Sequence, residues 1–239
     1  MTERWDVKIS DGGAIAVWIE GDGPPLVLVH GSMSNHTGFA PLIGELRDEV
    51  TIFAMDRRGF GASPDGSDYS AEREFADVAA VVRAVASRIG EPVVLFGHSW
   101  GASCALGAAS QLPSLRALVL YEPSLGLRYV PGWIDRFEAR VAAGDNEGAV
   151  VEMLTDIVGM TEDEIAGMRA APNWPERVAT APTIAREARI EDGWDWQPDR
   201  GHRCSNPRRP GARPRRPRPC RTHRYAPAVV AEVLRNWLK

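Results

Sequence analysis

Short, almost continuously apolar runs recur along the first half of the chain, each closed by glycine or a charged turn. Residues 26–30 and 92–96 have hardly a polar position within them, which predicts strands buried on both faces of a sheet. Residues 50–55 and 115–121 read the same way, the latter ending at Glu122-Pro123. Residues 5–9 and 14–19 form two opening strands joined by the Asp11-Gly12-Gly13 turn. Between these runs the period changes. A helix is predicted around residues 40–47, and a longer one over 71–89 that is apolar at Phe75, Val78, Ala79, Val82 and Val85. Strands alternating with helices predict an α/β fold with a mostly parallel central sheet.

Beyond residue 126 the pattern becomes helical without strands. Apolar positions recur at helical spacing through 133–143, 149–158 and 161–169, with Gly144-Asp145 and Pro172-Asn173-Trp174-Pro175 as breaks. This predicts a core over residues 1–126 and a helical insertion over 127–190 that lies across the end of the sheet. An irregular Arg/Pro-rich segment follows at 191–225, then a core helix at 226–239 whose Val230, Val233, Leu234 and Trp237 share one face.

One turn carries chemistry. Gly97-His98-Ser99-Trp100-Gly101 stands between an apolar strand and the small-residue stretch Ala102-Ser103-Cys104-Ala105-Leu106. A serine at the apex of a strand-to-helix turn needs small neighbours, because the backbone is strained and the helix packs close to the strand. Its hydroxyl then stands above the end of the sheet, beside a helix N-terminus. Ser99 is the candidate nucleophile. A second glycine turn, His30-Gly31-Ser32-Met33, follows another buried strand, and the N–H groups of Ser32 and Trp100 are the candidate donors to a developing oxyanion. The third, Asp56 to Ser63, is punctuated by Gly59 and Gly61 and shapes the floor of a pocket rather than reacting.

In this order the three motifs resemble the α/β-hydrolase family, in particular its small esterase-like members with a helical cap. The resemblance covers roughly residues 5–200. It implies an acyl-enzyme at Ser99, an oxyanion hole at Ser32 and Trp100, and a substrate pocket roofed by residues 127–190. Serine at the turn argues against the family's dehalogenases and epoxide hydrolases, which use aspartate there. The family pattern continues with further strands and places its histidine in a loop before the final helix. Here the final helix is present, while the last core strands are missing from the pattern. His223 is the histidine that falls at the family's position; His202 is worse placed. Glu122 follows a strand end where some members hold the acid, although a structural Glu-Pro turn explains it better. Asp195 and Asp199 carry no motif.

Composition sharpens the break. The chain of 239 residues is 44% hydrophobic and 25% charged with a net charge of -4, ordinary for one soluble α/β domain. Nine of its 28 basic residues are arginines between Gly201 and Arg224, where no acid occurs, leaving 19 basic against 32 acidic elsewhere. Five prolines in the same stretch oppose both strand and helix. Such a run is what a GC-rich reading frame yields when shifted by one base. The other two nucleotide frames should then encode an aliphatic strand and a histidine loop; frames that encode neither refute the shift. Nucleic-acid binding by the arginines is the weaker reading, because the run lacks interleaved aromatics and stands on an acidic body. If the base and acid are lost, the fold would serve as a hydrolase-like protein that binds a small molecule without turnover.

The N-terminus has no signal-peptide character and no run spans a bilayer, so a cytoplasmic protein is expected. Cys104, Cys204 and Cys220 show no zinc-ligand spacing and are too few for a disulfide framework. No metal or organic cofactor is implied, and the expected partner is a small-molecule substrate.

Overall fold

The computed structural model describes residues 3–66, 68–192, 194 and 227–238. Six strands form one sheet in the order β1-β2-β4-β3-β5-β6. They are β1 (Glu3–Lys8), β2 (Ala14–Glu20), β3 (Pro25–Val29), β4 (Thr51–Met55), β5 (Val93–His98) and β6 (Leu115–Tyr121). β1 and β2 form the antiparallel hairpin that the Asp-Gly-Gly turn predicts, and β2 also runs antiparallel to β4. β4, β3, β5 and β6 pair in parallel.

The apolar runs explain the two layers. Successive strand residues face opposite sides of a sheet. Val27 and Val29 therefore enter one core with helices α2 (Ala71–Ile89) and α3 (Trp100–Ala109), through Val78, Val82, Val85, Cys104 and Ala105. Leu26 and Leu28 enter the other, with α1 (Ala40–Leu46) and Leu234 of the last helix. α2 is well signalled in sequence: Ser70 caps its start by accepting the N–H of Arg73, and Gly90 ends it with φ 82°.

Five helices, α4 (Trp133–Ala142), α5 (Asn146–Glu152), α6 (Glu162–Arg169), α7 (Trp174–Ala179) and α8 (Ala181–Glu191), follow β6. After α5 the chain winds more widely over Met153–Ile157. These helices have their own apolar centre of Trp133, Phe137, Val150, Leu154 and Ile184, which reaches the core through Met33. Trp133 and Met153 are buried in it, and Met160 and Met168 pack on its edge. Helix α7 starts inside the 172–175 stretch that reads as a break. Pro175 and Pro182 lie in the first turns of α7 and α8, where the missing N–H costs nothing, so they start helices rather than stop them.

The last helix, α9 (Pro227–Leu238), packs Val230, Ala231 and Leu234 into the second core and ties Arg235 to Glu49. Its buried face is narrower than predicted. Val233 and Trp237 are 45% and 51% exposed, because contact with α1 and the sheet selects the 230/231/234 side. β6 ends the strand order among the described residues, and its apolar side chains are only half-buried.

Candidate active site

The turn at Ser99 has the geometry its sequence demands. Ser99 has φ 52° and ψ -127°, a left-handed-side conformation that is costly for a residue with a Cβ. Its N–H donates to the Tyr121 carbonyl at 2.9 Å, and its carbonyl accepts the N–H of Ala102 at 2.9 Å. The flanking glycines are required by close approach. A Cβ at Gly101 would lie 2.2 Å from the His30 carbonyl oxygen, and one at Gly97 would lie 2.5 Å from Ala102 Cα.

Ser99 immediately precedes α3, so Trp100 is the first helical residue and its N–H has no carbonyl one turn back. The Trp100 ring turns away into the core, edge-on to Trp194 at 5.9 Å, with its buried indole N–H unsatisfied among the described residues. His98 packs against Tyr121 at 5.5 Å, and burial pushes its pKa down to about 4. The first glycine turn closes directly on the serine: a Cβ at Gly31 would lie 2.9 Å from Ser99 Cβ. The turns bearing Ser32 and Trp100, far apart in sequence, thus meet at the parallel ends of β3 and β5.

Behind this junction lies a buried charge cluster whose assembly no motif announces. His30 is held in one tautomer: Nδ1–H donates to the Gly31 carbonyl at 2.7 Å and Nε2 accepts the N–H of Arg57 at 3.0 Å. Burial drives its pKa down to about 3. Arg57 donates to the His30 carbonyl, to Glu74 Oε1 at 2.7 Å and to Glu187 Oε1 at 2.7 Å. The Ser32 hydroxyl donates to the other oxygen of Glu187 at 2.5 Å. Burial pushes the Glu187 pKa up to about 7, although Arg57 and Ser32 pull the other way. Glu187 belongs to α8, so this carboxylate fastens the helices after β6 to the turn that carries Ser32. The third motif supplies Arg57, and also Arg58, which grips Asp77 at 2.9 Å.

A pocket of about 480 Å3 opens beside Ser32, between α7 and the turns after β3 and β4. Met33, His36, Phe60 and Gly61 line one side, and Asn173 and Arg177 the other. His36 stacks on Trp18 at 4.2 Å and directs Nδ1 to Asp56 at 2.8 Å. Glu122 is exposed after β6 with φ 49°. His223, His202, Asp195 and Asp199 lie outside the described residues. Among the described residues, no group of three or more His, Cys, Asp or Glu side chains could hold a metal ion, and no helix is long and apolar enough to cross a membrane.

This arrangement belongs to a known class. The model of the alpha/beta hydrolase family matches residues 26–237, and the chain is a member of that family. An alpha/beta hydrolase of Sphaerobacter thermophilus superposes with a TM-score of 0.69 at 36% identity, over 78% of this chain and 73% of that one. A 2-(acetamidomethylene)succinate hydrolase of Mesorhizobium japonicum is 35% identical over 128 residues, 52% of this chain and 44% of the relative. A pimeloyl-[acyl-carrier protein] methyl ester esterase of Stenotrophomonas maltophilia is 38% identical over 102 residues, 43% of this chain and 37% of the relative. The chain thus spans less than half the length of these two curated relatives.

Proposed function

We propose that the chain is built as a serine hydrolase that cleaves a small ester-like substrate through an acyl-enzyme at Ser99. The observation that carries this reading is the strained Ser99 backbone, with the Gly31–Ser32 turn packed on its Cβ. Strain of this kind persists where the surrounding structure enforces it, and it clusters at reacting groups. Ser99 Oγ attacks the acyl carbon while a base takes its proton, and the carbonyl oxygen becomes an oxyanion held by the N–H groups of Ser32 and Trp100. Collapse expels the alcohol, and water then releases the acid by the same route. His223 is the proposed base. The relatives named as a hydrolase and a methyl ester esterase support an acyl substrate; its identity is not carried over from them.

The second reading is a binding protein without turnover, favoured by the nine arginines and five prolines that stand where the family's acid and histidine elements are expected. A fluorophosphonate probe separates the two. A single adduct by intact-mass spectrometry, lost in Ser99→Ala, is expected if a base survives. In that case Ser99→Ala lowers turnover by about 10⁴ to 10⁶. No adduct on folded protein would leave the binding reading.

A further inference from the structure

The pocket beside Ser32 has two kinds of wall. Trp18 and Ala62 supply apolar surface over the buried Met33 and Phe60, and the Trp18–His36 stack makes one side flat. Arg177 of α7 supplies a cation. The other arginines of the helices after β6 are neutralised by carboxylates: Arg136 by Glu152, Arg140 by Asp145 and Glu152, Arg169 by Glu147, Arg186 by Asp65, and Arg189 by Asp135 and Glu138. Arg177 is half-buried, yet its side chain has neither a carboxylate nor a hydrogen-bond acceptor among the described residues. Burial lowers its pKa from the ordinary arginine value, with no acid offsetting the effect.

The nearby carboxylates are engaged elsewhere. Glu176 accepts from Asn35 Nδ2 at 3.1 Å, and consecutive helical side chains do not face one another. Asp56 is buried behind the stack, where it accepts from the Trp18 indole, the Ala62 N–H, and the His36 N–H and ring. A partly desolvated guanidinium that lines a pocket and has no counter-ion among the described residues is half of an ion pair. The missing half is planar, anionic and small enough to bring an apolar body with it.

We propose that this pocket binds a small organic carboxylate with an apolar body, and that the Arg177 guanidinium is its counter-ion. The guanidinium fork donates to both carboxylate oxygens, while the body lies along the Trp18–His36 stack. The site goes beyond the hydrolytic reading, because binding here needs no turnover at Ser99.

Isothermal titration of the full chain with phenylacetate, and with phenylacetamide as its neutral counterpart, tests it. Phenylacetate should saturate one site, bind at least about tenfold more tightly than the amide, and lose that advantage in Arg177→Gln. Arg177→Lys should retain part of it, which keeps the test decisive if the Gln variant proves unstable. Ser99→Ala should bind like the parent, so failure of the fluorophosphonate label leaves this result standing. Absence of saturable phenylacetate binding, equal affinity for acid and amide, or an affinity untouched by both Arg177 substitutions would overturn the proposal.

Discussion

The serine turn and the junction between α8 and the core are neighbours in space, but they are held together in different ways. The turn is steric and local: Gly97, Gly101 and the strained Ser99 lie within five residues, and its fit is set by backbone atoms that cannot yield. The junction is electrostatic and distant, since Arg57 and Glu187 are separated by 130 positions. Its members are fully buried, in contrast to the exposed ion pairs on the outer faces of α4 and α8, where Arg189 meets Glu138 and Asp135. The same residue types thus do unlike things. A buried charge must be paired or it becomes expensive, whereas an exposed pair exchanges one well-solvated state for another.

Breaking the junction should have the largest effect on stability. Glu187→Ala leaves one Arg57 nitrogen and the Ser32 hydroxyl without their acceptor. It should cost about 3–5 kcal/mol in chemical denaturation, as when one member of a buried pair is removed. A loss below about 1 kcal/mol would mean that water replaces the carboxylate and that the junction is not tight.

Glu187 also gives the junction a pH signature. Its folded pKa of about 7 lies above the ordinary 4.5, so its contribution is fully present below pH 4.5 and is lost as pH rises through 7. His30 and His98, with folded pKa values of about 3 and 4, act in the opposite sense and lose stability as pH falls below 6.5. Comparison with Glu187→Gln isolates the carboxylate. The parent should lose stability relative to this variant by up to about 1.4 kcal/mol per pH unit between pH 4.5 and 7. A pH-independent difference would show that Glu187 does not titrate there.

The turn should fail through crowding instead. Gly101→Ala places a methyl group 2.2 Å from the His30 carbonyl, and neither backbone can move without disturbing β3 or α3. A destabilisation at the upper end of about 1–3 kcal/mol is expected, together with loss of any Ser99 labelling. Unchanged labelling would show that the turn relaxes. At the bottom of the scale stands Arg189→Ala on the exposed pair, for which the denaturation midpoint should not move measurably.

Much of the core was legible because short-range physics sets it. The runs that became β3, β4 and β5 are continuous since both faces of those strands are covered, and the 71–89 helix carries its own cap, periodicity and terminal glycine. Pro175 reads as part of a break but starts α7, because a proline reads as a break unless one knows which turn of a helix it occupies. Val233 and Trp237 were assigned to the buried face of α9 because periodicity gives an apolar stripe without saying which edge of it meets the partner. Of the candidate site, the strained backbone at Ser99 and the meeting of the two glycine turns follow from adjacent small residues, while the proposed base, His223, falls outside the described residues.

The sequence by itself determined the class of fold, the strained serine turn and the two helical faces of the sheet, because each follows from periodicity or from the size of adjacent residues. Only the tertiary structure decided that β4 lies between β2 and β3, that Glu187 reaches across to Arg57 and Ser32, and that Arg177 lines a pocket with no counter-ion among the described residues. These depend on which distant segments meet. A charge in a sequence carries no mark of its partner or its burial, and those two quantities set its energy.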